Sequence, residues 1–246
     1  MKKILLVLSL IPMSVHAFLN IESLRQSKKV KHGIIGSTRL RLNERNGNSD
    51  KTNMGASTLN LLKNGRSNYI FLADYQYGES FKREDTREGH LHFRYTRKMT
   101  EALSLEAYQQ SEFNKFQSLT LRLLGGVGAR VGLIQEEKSS LYLGIGGFYE
   151  DEDIENGIDQ SNPRGNLYLS HVYGVEDRFN TSAVIYYQPN TENMNDYRLK
   201  LSFGLESVIT EYFTQQISYS LSRDTFPPGN VSRTDSSLSA GIGIRY

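Results

Sequence analysis

"YRLKLSFGLES" (residues 197–207) is the stretch whose reading decides the fold. Tyr197, Leu199, Leu201, Phe203 and Leu205 share one parity, while Arg198, Lys200, Ser202, Gly204 and Glu206 share the other. A period of two is the signature of a strand with two unlike faces. Charged side chains at alternate positions cannot sit in the dry core of a sandwich. They suit a barrel turned inside out, with a wet polar interior and an apolar exterior.

The same alternation recurs along the chain. In "GHLHFRYTR" (89–97), Leu91, Phe93 and Tyr95 oppose His90, His92, Arg94 and Thr96. In "LSLEAYQQSE" (103–112), Leu103, Leu105 and Ala107 oppose Ser104, Glu106, Tyr108 and Gln110. In "SLTLRLLGGVGARVGLI" (118–134), Leu119 to Leu133 on one parity oppose Arg122, Arg130 and a run of glycines. Such runs predict about twelve strands, over 33–44, 51–63, 67–78, 85–98, 102–115, 117–135, 140–151, 164–175, 178–189, 196–209, 211–223 and 233–246. Most exceed the usual globular strand of about 5–6 residues and match a tilted membrane-crossing strand of about 9–11 with overhang.

The connections sort by length. Short turns (63–66, 98–102, 135–139, 176–178 and 209–212) alternate with longer polar loops (44–51, 77–85, 111–117, 150–165, 188–196 and 223–233). Turns on one side and loops on the other, with an even strand count, are what an outer-membrane barrel requires. The predicted fold is therefore all-β: one antiparallel up-and-down transmembrane barrel over 33–246, with short periplasmic turns and longer extracellular loops. The acidic segment 150–165 is read as a solvated loop.

The N-terminus supplies a route to that membrane. Residues 1–17, "MKKILLVLSLIPMSVHA", combine Lys2 and Lys3, an apolar run and a small-x-small end, which predicts a signal peptide cleaved after Ala17. Residues 18–32 then form a periplasmic leader. The 29 basic residues fall to 27 once Lys2 and Lys3 are removed, matching the 27 acidic ones, so charge gives no support to a nucleic-acid partner. The chain has no cysteine, which excludes disulfides and thiolate metal sites. A mean hydropathy of −0.49 suggests a soluble protein, but alternation averages to such a value in a barrel as well.

Three segments resemble a known family. "LRLNERNGNSDKTNMGASTLNL" (40–61), with Gly47-Asn48-Ser49-Asp50 at its turn, is similar to the paired-strand opening of a bacterial family of salt-induced outer-membrane proteins of unknown function. "LLGGVGARVGLI" (123–134) resembles its glycine-rich central strand, and "FPPGNVSRTDSSLSAGIGIRY" (226–246) its closing loop and last strand. The resemblance spans 33–246. It implies an outer-membrane barrel and no particular reaction.

Parity places Arg39, Arg41, Asp74, Glu88, His90, His92, Arg94, Glu106, Glu112, Arg122, Arg130, Arg198, Lys200, Glu206 and Arg245 in the lumen. Such charges either cross-link the wall and fill the bore or line a narrow aqueous path. The leading expectation is thus a narrow channel or a structural envelope barrel with a charge-paired lumen. A hydrolase acting on lipid or lipopolysaccharide is the alternative. Counting across the 98–102 turn sets Glu106 or Tyr108 opposite His92 as a dyad, but Ser111 falls on the lipid-facing parity. No metal site is completed around the two histidines, and no cofactor is implied.

Leu238, Ala240, Ile242, Ile244 and Tyr246 form an alternating apolar set that predicts a signal for the barrel-assembly machinery. The last strand is expected to pair with the first, because an open edge in lipid leaves backbone groups unsatisfied. The remaining expected partners are outer-membrane lipid, lipopolysaccharide and periplasmic chaperones. Parity also predicts that arginine is costly at Leu201 and nearly neutral at Ser202.

Overall fold

A computed structural model of the protein describes residues 32–48, 50–155, 157, 159–175, 178–210, 213–228 and 231–244. The predicted signal peptide, the predicted leader up to residue 31, Arg245 and Tyr246 lie outside the described residues. Twelve strands run in chain order: β1 (Gly33–Arg45), β2 (Lys51–Asn64), β3 (Ser67–Ser80), β4 (Arg83–Lys98), β5 (Leu103–Asn114), β6 (Leu119–Gln135), β7 (Ser139–Ile154), β8 (Gln160–Val175), β9 (Phe179–Pro189), β10 (Tyr197–Val208), β11 (Phe213–Asp224) and β12 (Thr234–Ile244). Each pairs antiparallel with its neighbours in one up-and-down sheet. All twelve predicted strands are present, but of the predicted long loops 77–85 shrinks to Phe81 and Lys82, because β3 runs to Ser80 and β4 begins at Arg83.

The sheet is turned inside out relative to a soluble protein. Its outward parity exposes Val127 (66%), Ile145 (60%) and Leu238 (71%), along with Leu91, Phe93, Leu105, Leu123, Leu167 and Ile185. Its inward parity buries Arg94, Glu106, Arg130, Glu150, Arg164 and Arg198. A continuous exposed apolar surface of this extent is incompatible with water and natural in lipid.

Aromatic pairs mark two outward belts. Near the short turns, Tyr69 packs on Tyr95 and Tyr173 on Phe179, with ring centroids 5.1 and 6.3 Å apart. Near the long loops, Tyr75 meets Phe113 at 6.4 Å and Tyr187 meets Tyr197 at 5.6 Å. Tyr69 and Tyr77 lie on opposite belts of β3, separated along the strand by about 26 Å, or about 20 Å along the axis at a 40° tilt. That is close to the apolar band of about 25 Å that an outer membrane presents.

Three expectations need correction. The acidic segment is not a solvated loop at its ends, because β7 continues to Ile154 and β8 begins at Gln160. Glu150, Glu152 and Arg164 are therefore inward and buried. Three arginines neutralise what sequence alone presents as an unbroken acidic run.

The β4–β5 register differs from the simple count. Lys98 pairs with Ser104, which leaves five residues in the connection and sets His92 opposite Gln110, not Glu106 or Tyr108. The turn is held by the Met99 and Thr100 amides donating to Leu103 O (2.9 and 3.1 Å) and by the Leu103 amide donating to Thr100 Oγ1 (3.0 Å). Local hydrogen bonding, invisible to parity, shifts the pairing by two or four residues without changing the face.

Finally, the ladders among the described residues run from β1 to β12, and none joins β12 back to β1. Inward positions on the β12 side of that seam are small (Ser237, Ser239 and Gly241), whereas β1 presents Ser37 beside Arg39 and Arg41. The Gln117 amide reaches across the mouth to Asp235 (3.2 Å) from a single 3₁₀ turn at Lys115–Gln117.

Candidate functional site

The lumen is crossed at two levels. At the long-loop end, Arg198 of β10 reaches three strands away to Glu150 (2.6 Å) and Glu152 (2.6 Å) of β7, and also to Asp224 of β11 (2.8 Å). Arg164 of β8 pairs with Glu150 and, through one nitrogen, with both carboxylate oxygens of Asp196 (2.9 and 3.0 Å). Arg122 of β6 pairs with Glu112 of β5 and Glu152, and lies 3.9 Å from Glu150. Glu150 is 0% exposed. An isolated carboxylate at that depth would be prohibitively costly, so the surrounding guanidinium groups are a condition of its burial.

At the short-turn end the crossing members are tyrosines. Arg94 of β4 pairs with Glu106 of β5 (3.1 Å), and the Tyr168 hydroxyl of β8 donates to that same carboxylate (2.8 Å). The Asn166 amide donates to the Tyr108 hydroxyl (3.1 Å), tying β8 to β5 a second time. The Arg130 guanidinium lies over the Tyr142 ring at 4.0 Å and donates to the Tyr168 hydroxyl (3.4 Å).

Glycines on β6 and β7 make room for these rings. A Cβ at Gly144 would sit 1.9 Å from the Tyr168 ring, and one at Gly126 would sit 2.6 Å from the Tyr108 ring. Only glycine lets the rings lie flat on the wall while their hydroxyls reach across.

Between the two levels stands His92. Gln110 Nε2 donates to Glu112 (2.9 Å), so its carbonyl oxygen faces His92 Nδ1 at 3.1 Å and accepts from it. Arg94 Nε donates to His92 Nε2 (3.3 Å). Both ring nitrogens are thus engaged, neither by a hydroxyl, and the ring stacks on His90 and Tyr108 (6.2 Å each). Ser111 pairs with Leu91 on the outward parity, so that serine does not face this histidine. Among the described residues, no group of three potential metal-ligating side chains converges.

The predicted lumenal residues divide by location. Arg94, Glu106 and Arg130 build the crossing at the short-turn end, while Glu112, Arg122 and Arg198 build the one at the long-loop end, with Lys200 beside it. Asp74 accepts from Gln76 (3.1 Å), and Glu88 accepts from Asn114 (2.7 Å). Arg39, on the seam strand, and Glu206, near the short-turn rim, are exposed, while Arg41 is half-buried. Arg245 lies outside the described residues. Glu150, Glu152, Arg164, Asp196, Tyr108 and Tyr168 were not in the predicted set. Continued alternation through Gly146, Phe148, Glu150 and Glu152 is the signal that would have found the first two.

Of the residues expected to form an assembly signal, Leu238, Ala240 and Ile242 are outward and exposed. Ile244 ends β12, and Tyr246 lies outside the described residues.

The profile of DUF481, a protein family of unknown function, matches residues 40–246. The chain belongs to this family. The three segments that resemble an outer-membrane family lie within or at the edge of the matched region. No curated protein matches this DUF481 member. Similar solved structures include the NanC porin, at 10% identity and TM-score 0.49, covering 87% of this chain and 99% of that one. The KdgM porin aligns at 10% identity and TM-score 0.42 over 87% and 99%. A bacterial polysaccharide outer-membrane secretin aligns at 6% identity and TM-score 0.43 over 87% and 90%.

Proposed function

We propose that this protein is a transmembrane barrel of the Gram-negative outer membrane, acting as a narrow channel with a charge-paired lumen. The observation that carries this reading is the inversion of burial. Glu150, Glu152, Arg164 and Arg198 are buried inside, while Val127, Ile145 and Leu238 are exposed outside. A soluble barrel would lose free energy on both faces, whereas in a bilayer both arrangements are favourable. On this reading its surroundings are outer-membrane lipid and lipopolysaccharide, with the barrel-assembly machinery and periplasmic chaperones acting during biogenesis.

The test is single-channel recording of refolded, heat-modifiable protein in planar bilayers. Discrete, narrow-pore conductance steps are expected. Their absence from correctly inserted protein would refute the channel and leave a structural barrel.

A further inference from the structure

The two crossings do not fill the barrel evenly. Both tie the β4–β6 wall to the β7–β11 wall, and the space trapped between them, bounded by His92, Tyr108 and Asn166, is a cavity of about 50 Å³. That admits a few waters, at about 10–15 Å³ each on this measure, and no solute. The remaining volume lies to one side. A cavity of about 340 Å³ opens in the extracellular half, walled by Ser57, Asp74, Lys200 and Ser220. A second, of about 200 Å³, opens in the periplasmic half, walled by Ser182, Ser218 and Ser239. Ser218 and Ser220 are successive inward positions on β11, so the two cavities border neighbouring stretches of the same strand.

We propose that solute passes off the barrel axis, along the inner face of β10–β12 beside the β1–β12 seam, and that the buried ion pairs are fixed struts that confine it there. The proposal rests on the channel reading and adds the route and the solute class. The wall carries both signs, with Lys200 and Asp74 above and Glu206 below, among serine hydroxyls. Such a lining suits small hydrophilic solutes of amino-acid or monosaccharide size, not apolar molecules or oligomers.

The chain has no cysteine, so single substitutions report one site each. Ser220→Cys and Ser239→Cys lie on the proposed route, and Ser170→Cys, fully buried on β8, lies behind the struts. With a small charged methanethiosulfonate reagent, current is expected to fall after modification of the first two and to stay unchanged for the third. Labelling at Ser220→Cys by a membrane-impermeant maleimide should be at least about tenfold faster than at Ser170→Cys, following thiol access. Liposomes should swell with glycine or glucose and not with raffinose. Block confined to Ser170→Cys, equal labelling at all three sites, or raffinose entry at the rate of glycine would overturn the route or its size limit. An unmodified protein without conductance would instead refute the channel reading itself.

Discussion

Replacing Arg198 with alanine tests the struts at their most connected point. Its side chain is 7% exposed and contacts Glu150, Glu152 and Asp224 at 2.6–2.8 Å. After Arg198→Ala, Glu150 retains Arg164 and Glu152 retains Arg122, but Asp224 loses its guanidinium partner. Glu112, Glu150, Glu152, Asp196 and Asp224 would then face Arg122, Arg164 and Lys200, with too few cations to neutralise them. Breaking a buried pair from one side costs about 3–5 kcal/mol. The remaining partners and the part-exposed Asp224 argue for the lower half of that range, about 3–4 kcal/mol. Arg198→Lys keeps the charge but loses the planar fork that serves three acceptors, and should cost about half as much. The chain lacks tryptophan, so unfolding from lipid vesicles in urea is best followed by circular dichroism and by heat-modifiable gel mobility. In the double variant Arg198→Ala/Asp224→Asn, removing the carboxylate that lost its guanidinium partner should restore about 1 kcal/mol or more. If Arg198→Ala unfolds within about 1 kcal/mol of wild type, the cluster is solvated well enough that the pairs are not struts.

Two further substitutions probe the wall. Val127→Arg, on the exposed outward face near mid-strand, should cost about 2–4 kcal/mol of folding into lipid, whereas Ser220→Arg, pointing into the extracellular cavity, should stay within about 1 kcal/mol while reducing conductance. Equal costs in vesicle unfolding would mean the faces are misassigned. Gly144→Ala drives a methyl group into the Tyr168 ring and should destabilise by about 1–3 kcal/mol. Tyr168→Phe should cost about 1–2 kcal/mol through the lost hydrogen bond to Glu106. A larger effect in Tyr168→Phe than in Gly144→Ala would mean that the hydroxyl, and not the seating of the ring, fixes this crossing.

Alternation alone determined that twelve strands exist, which side of each is polar, and on which end the long loops lie. These follow because side chains in a strand point alternately to two faces, whatever the strand pairs with. The placement of Arg94, Glu106, Arg122 and Arg198 inside follows from that rule, residue by residue. Parity says nothing about distance across the bore, and there the tertiary structure decided. It set His92 against Gln110, because the turn holds five residues. It drew Glu150, Glu152 and Arg164 out of an apparent loop and into the lumen. Ser202 faces inward as parity requires, yet it is only 5% exposed, so arginine there would have to displace packed neighbours and would not be neutral. The alternation identified a polar interior. Only the packing of Tyr108, Tyr168 and the arginines against opposite walls decided that it is crossed at two levels, because a side chain's reach across a barrel depends on the curvature of the whole sheet.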